Sequence, residues 1–127
     1  MAALLLISVL ALFQFLIFGL LVARARERYG VKAPATSGHE IFDRYFRVQM
    51  NTLELLVMFI PALWISSLFA KPVWLAPLGL LYLIGRQIYL SSYIRSPANR
   101  HIGFLLSATP IVVLLLIGLV GSIARLI

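Results

Sequence analysis

Four stretches of this chain are apolar for long enough to cross a lipid bilayer, and that narrows its possible folds more than any other feature. Residues 2–23 contain no charged side chain, residues 53–70 only Glu54, residues 73–93 only Arg86, and residues 102–124 none. Each stretch approaches or exceeds the roughly 20 residues a helix needs to span the hydrocarbon core. Only helices and closed barrels satisfy their backbone hydrogen bonds in lipid, and nothing here alternates with the two-residue period of a strand. The expected fold class is therefore all-α: an integral membrane four-helix bundle, one domain over residues 1–127. Composition agrees, with 62% hydrophobic and 12% charged residues, against about half and a quarter in soluble domains.

The small-x-small site Ala23-Arg24-Ala25 suggests a cleaved leader, but the preceding apolar stretch is too long and no positive residue stands before it. It reads as the first span. The net charge of +7 raises the question of nucleic acid. A mostly membrane-buried chain has little surface for that partner, and none is expected. The charges mark orientation instead. Arg24, Arg26, Arg28, Lys32, Arg44 and Arg47 lie between the first two spans, and Arg95 and Arg100 between the last two. Lys71 and Arg125 are alone at the other end. The positive-inside rule puts residues 24–47 and 95–101 in the cytoplasm and both termini on the opposite side. Arg24, Arg28, Lys32 and Arg95 suit the headgroups of anionic membrane lipid.

The second helix is expected to begin before the membrane, since Ser37 and Glu40 have capping-box spacing, with Ser37 as N-cap. Continued to Ala70, it would exceed thirty residues and project Asp43, Arg44 and Arg47 from the bilayer. Pro61 and Pro110 fall inside helices, where each removes a backbone hydrogen bond; Pro34 and Pro97 fall in loops.

On that helix Arg47, Asn51 and Glu54 share a face, extended by Met58, while Gln49 points roughly the opposite way. The third helix carries a second stripe, Tyr82, Arg86, Tyr89 and Tyr93, and Arg100 follows in the loop at the same end. Taken singly, these residues have plain structural readings. Glu54 could clamp helices through Arg47 or Arg86, and Tyr29, Tyr45 and Tyr82 could belong to an interfacial aromatic belt. Together they exceed what a clamp requires. They suit a small zwitterion: arginines fork onto carboxylates and Glu54 takes an ammonium, while an apolar cleft receives a lipophilic second substrate from the bilayer. The chain has no cysteine, so sulfur chemistry needs a thiol brought by a ligand. His39 and His101 have no carboxylate or cysteine at ligand spacing, and no metal is expected.

The segments FDRYFRVQMNTLELLVMFIPALW (residues 42–64) and GRQIYLSSYIRSPANR (residues 85–100) resemble signatures of a known family, the membrane-associated proteins in eicosanoid and glutathione metabolism. The likeness runs over residues 24–108 and is nearest to the microsomal glutathione transferase and cysteinyl-leukotriene synthase branch. It implies a homotrimer with each site between neighbouring subunits, and glutathione as co-substrate. It also implies that Arg26, Arg47, Gln49, Asn51, Glu54, Arg86, Tyr89 and Tyr93 contact glutathione, and that Arg100 stabilises the thiolate as the catalytic residue. Glu27 and Leu55 stand where the leukotriene synthase carries an arginine and a tyrosine. Arg47 separates the chain from the non-catalytic lipoxygenase-activating relative.

The function implied is a glutathione transferase, with or without peroxidase activity, acting on a lipophilic electrophile or lipid hydroperoxide. The alternative is a non-catalytic lipid- or fatty-acid-binding relative. A transport or structural bundle fits less well, because no discontinuous helix pair is present. Arginine suffices in magnitude. Lowering a thiol pKa from about 8.5 by about two units takes roughly 2.7 kcal/mol. One guanidinium about 4 Å away supplies about 4 kcal/mol at an effective dielectric of about 20, before desolvation. The basic loops generate a topology prediction. Cysteines placed singly at Ser37 and Ser122 should be labelled from opposite faces of sealed vesicles, and labelling of both from one face would overturn the orientation.

Overall fold

The computed structural model describes residues 1–127 as helices α1 (Ala2–Arg28), α2 (Glu40–Ser66), α3 (Pro72–Arg95) and α4 (His101–Ala124). A short 3₁₀ turn, Pro97–Arg100, leads directly into α4. All four helices are long and apolar enough to cross a membrane. The chain is an integral, multi-pass membrane protein.

Burial on α1 follows the helical period. Leu4, Ile7, Ala11, Phe18, Val22 and Ala25 face the bundle, while Leu12, Phe13, Leu16 and Leu20 on the outer side are 52–61% exposed. Such a surface would aggregate in water, whereas lipid tails solvate it as well as protein does. The inner stripes meet in one core that draws on all four helices, including Leu4, Phe59, Leu63, Leu75, Ile111 and Leu114. Tyr82 belongs to this core. It is 1% exposed, and its ring stacks on Phe59 at 3.9 Å between centroids, so it is no part of an interfacial aromatic belt. Its position on the third-helix stripe turns it towards α2 rather than towards lipid.

The helix ends have specific causes. Gly30, with φ +68°, ends α1 in the left-handed conformation that glycine adopts without a steric penalty. The N–H of Val31 then returns to the carbonyl of Arg26 at 3.1 Å, the long bond of a Schellman ending. At the start of α2 the expected cap at Ser37 is replaced by His39, whose Nδ1 accepts the N–H of Ile41 at 3.2 Å. Gly38 has φ +149°, incompatible with a helical first turn, so the helix begins at Glu40. Asp43 serves Gly38, accepting its N–H at 3.1 Å. The helix also stops at Ser66 rather than Ala70, leaving 27 residues, about 40 Å. Arg44 reaches from α2 to the C-terminal end of α3, donating to the carbonyls of Ile94 (2.8 Å) and Arg95 (3.2 Å). It also pairs with Glu40. Arg44 therefore satisfies carbonyls that α3 leaves unpaired and fixes the register of the two helices at the basic end.

Contact between α3 and α4 depends on small residues. A Cβ added to Gly103 would lie 2.4 Å from the backbone nitrogen of Tyr89, and one added to Gly85 would lie 2.7 Å from the backbone of Ser107. Neither has room for a methyl group. Close backbone approach of this kind is how membrane helices gain packing energy without a hydrophobic driving force. Gly103→Ala should force the helices apart at the level of Tyr89, costing about 1–3 kcal/mol as overpacking does. Thermal unfolding in detergent checks this, and an unchanged midpoint would show that the interface gives way freely.

Candidate functional site

At the basic end of the bundle a cavity of about 390 Å³ opens between α2, α3 and the start of α4, lined by Arg47, Asn51, Tyr89, Tyr93, Arg100, His101 and Phe104. Its volume falls in the range of about 300–1,000 Å³ usual for small-molecule sites. Five of those lining residues belong to the sequence-derived set: Arg47, Asn51, Tyr89, Tyr93 and Arg100. Two residues of each helical stripe, Arg47 with Asn51 and Tyr89 with Tyr93, therefore face one cavity.

Each wall has a local cause. Tyr89 is held from behind by the guanidinium of Arg86, 4.2 Å from its ring centroid, and meets Tyr93 at 5.4 Å. Its backbone lies against Gly103 of α4. Arg100 ends the 3₁₀ turn, and its Nη1 makes only a 3.4 Å bond to the carbonyl of Pro97 in its own turn. It is exposed, with most of its donors free to meet a ligand. Arg47 is likewise exposed, with Nη1 3.8 Å from Oε1 of Glu54 on the same helix. The start of α4 adds the partial positive charge of a helix N-terminus. With Glu54 the one acid beside this cluster, the field in the cavity favours an anion.

Glu54 lies at the edge, its side chain 56% exposed, and its Oε2 accepts from Nδ2 of Asn51 at 3.4 Å. Since it pairs along its own helix, it clamps no two helices of one chain. Arg86 is not a lining residue. It is 0% exposed, and Nη2 donates to Oδ1 of Asn51 at 3.1 Å and to Oγ1 of Thr52 at 3.0 Å. Arg26 and Gln49 lie apart from the cavity. Arg26 donates to the carbonyl of Ala35 at 2.7 Å and stands 4.8 Å over Phe42, holding the α1–α2 connection. Gln49 packs against α1 at Gly19. Leu55, beside Glu54 in sequence, is buried in the core.

Thr52, His101 and Phe104 were not found by sequence reasoning. Thr52 gave no signal beyond adjacency to Asn51, and its hydroxyl also donates to the carbonyl of Val48 at 2.7 Å. His101 and Phe104 sit three apart, which places them on one face of α4, but only the turn of the chain at Pro97 shows which way that face looks. No three His, Cys, Asp or Glu side chains cluster as metal ligands. His39 caps α2 and stacks on Tyr29 at 4.2 Å, well occupied by structure.

A cavity with paired arginines and tyrosines, on four spanning helices, coincides with a match of residues 4–120 to the MAPEG family. The chain belongs to the MAPEG family. Among its MAPEG relatives is human microsomal glutathione S-transferase 2, 36% identical over 115 residues, which cover 91% of this chain and 78% of that one. An uncharacterized protein of Synechocystis is 39% identical over 121 residues, 95% of this chain and 88% of its own. Rat leukotriene C4 synthase is 39% identical over 83 residues, 65% of this chain and 55% of its own.

Proposed function

We propose that this MAPEG protein is a membrane-embedded, single-domain glutathione transferase that joins the glutathione sulfur to lipophilic electrophiles. The observation carrying the proposal is the convergence of Arg47, Asn51, Tyr89, Tyr93 and Arg100 on one cavity. Kinship to a microsomal glutathione S-transferase supports it. Glutathione is an anion with two carboxylates, one ammonium and a thiol. Arg47 suits a carboxylate, Glu54 suits the ammonium, and the tyrosine hydroxyls suit the peptide groups between. Arg100 faces the remaining charge, the thiolate. In the reaction the thiol proton leaves to water, and the sulfur lone pair forms a carbon–sulfur bond. The electrophile's leaving group departs, or its double-bond electrons shift to the adjacent atom.

If Arg26 and Gln49 serve glutathione, as the family resemblance implies, the site is shared between chains, as in a trimer. Both lie apart from the cavity of their own chain, so a site that uses them together with Arg100 combines two chains. Such an arrangement would also cover Arg47, Glu54 and Arg100, which are exposed in a single chain. Excluding water there strengthens the attraction between arginine and thiolate. The end of the bundle bearing the site is assigned to the cytoplasmic face, where the basic residues concentrate.

Arg100→Ala tests the assignment. Glutathione affinity at about pH 5 should change little, because the bound thiol is then protonated with or without the arginine. The thiol pKa in the complex should rise towards the free value of about 8.5. Turnover at neutral pH should fall by one to three orders of magnitude, about 1.4–4 kcal/mol of transition-state stabilisation, and recover in part as pH rises. Arg100→Lys should retain some activity, since a point charge still attracts a thiolate. Unchanged turnover with an unchanged thiol pKa would remove Arg100 from the chemistry.

A further inference from the structure

Arg86 is one of the largest fully buried side chains in the protein, and no carboxylate of its own chain pairs with it. Of its three nitrogens, Nη2 serves both Asn51 and Thr52, while Nε and Nη1 are buried with no partner. A guanidinium carries donors only. The Asn51 atom that meets it at 3.1 Å must therefore be the carbonyl oxygen, whichever way the amide is otherwise disposed. Fixing the oxygen inward fixes the amide nitrogen outward. There Nδ2 donates towards Glu54, at 3.4 Å from Oε2, on the side of α2 that lines the cavity.

We infer that Arg86 is a positioning residue for the glutathione site: by holding the Asn51 carbonyl inside the bundle it makes Asn51 a donor, never an acceptor, towards the ligand. This rests on the glutathione reading for the identity of the ligand, but the device itself belongs to the free protein. The cavity wall offered by α2 is then uniformly suited to carbonyl and carboxylate oxygens, with Arg47 and the Asn51 NH₂ side by side. A flipped Asn51 would turn its oxygen towards Glu54 and towards ligand oxygens, repelling both. Thr52 supports the arrangement. Its hydroxyl hydrogen is committed to the carbonyl of Val48 at 2.7 Å, so its oxygen can only accept from Arg86. Tyr89 completes the holder, its ring 4.2 Å from the guanidinium carbon. Arg86 thus reaches the ligand through Asn51 and Tyr89 without lining the cavity.

The first readout needs no ligand. In trimeric or detergent-solubilised protein with ¹⁵N-labelled asparagine, the side-chain amide signals of Asn51, identified by their loss in Asn51→Ala, should shift or broaden in Arg86→Met and be largely kept in Arg86→Lys. Signals unmoved in Arg86→Met would overturn the inference, whatever the ligand proves to be. The second readout is a double-mutant cycle on the Michaelis constant for glutathione. Arg86→Met and Asn51→Ala should each raise it about tenfold, with a smaller effect on kcat, and Arg86→Met should add less than about twofold in the Asn51→Ala background. Full additivity would overturn the inference, since Arg86 would then act independently of Asn51. Asn51→Asp, which keeps an acceptor for Arg86 but replaces the outward NH₂ with oxygen, should retain thermal stability and lose glutathione binding. Normal binding by this variant would also contradict the proposal. Failure of the wild-type protein to bind glutathione would sink the functional reading instead, leaving the amide signals to decide the role of Arg86.

Discussion

A guanidinium buried inside a membrane-spanning bundle needs hydrogen-bond acceptors, and the two that Nη2 of Arg86 reaches organise the basic end of the molecule. A charge in this setting is costly, so its neighbours are chosen by chemistry. Asn51 and Thr52 of α2 supply oxygens, and Tyr89 supplies an aromatic face. The two contacts with Asn51 and Thr52 lock α2 to α3. The glycines at positions 85 and 103 let α4 close against α3 at the same level, and Arg44 ties the end of α3 to the start of α2. The cavity is what remains between helices fixed in this way.

Polarity is divided accordingly along the bundle. One end has the arginines other than Arg125, the tyrosines other than Tyr82, and the cavity. The remainder is a continuous apolar core wrapped in an apolar surface, the condition for residence in lipid. A lipophilic electrophile partitions into that surrounding hydrocarbon, whereas glutathione stays in water. A cavity at the boundary is where the two could meet, and holding both there would supply much of the rate through proximity.

Much of this was legible in the sequence. Uncharged stretches give the four helices, because hydrocarbon forbids the alternatives. Spacing of four and seven residues gives the shared faces, so Arg47 and Asn51, and Tyr89 and Tyr93, could be paired before any coordinates. Rotation of one helix against another was not legible, since it depends on close contacts such as Gly103 against Tyr89. Arg86 therefore read as a ligand contact, although it stands behind the wall, and Tyr82 read as interfacial, although it stacks on Phe59 in the core. The cap at His39 was hidden for a local reason. Ser37 and Glu40 have the right spacing, but the positive φ of Gly38 breaks the helix between them.

On the proposed reading, the cavity binds glutathione and ionises its thiol. Difference ultraviolet absorbance of the detergent-purified protein at neutral pH, titrated with glutathione, tests it most directly. A saturable thiolate band is expected, absent with S-methylglutathione, whose sulfur carries no proton. Saturable binding without that band, or no binding at all, would contradict that reading.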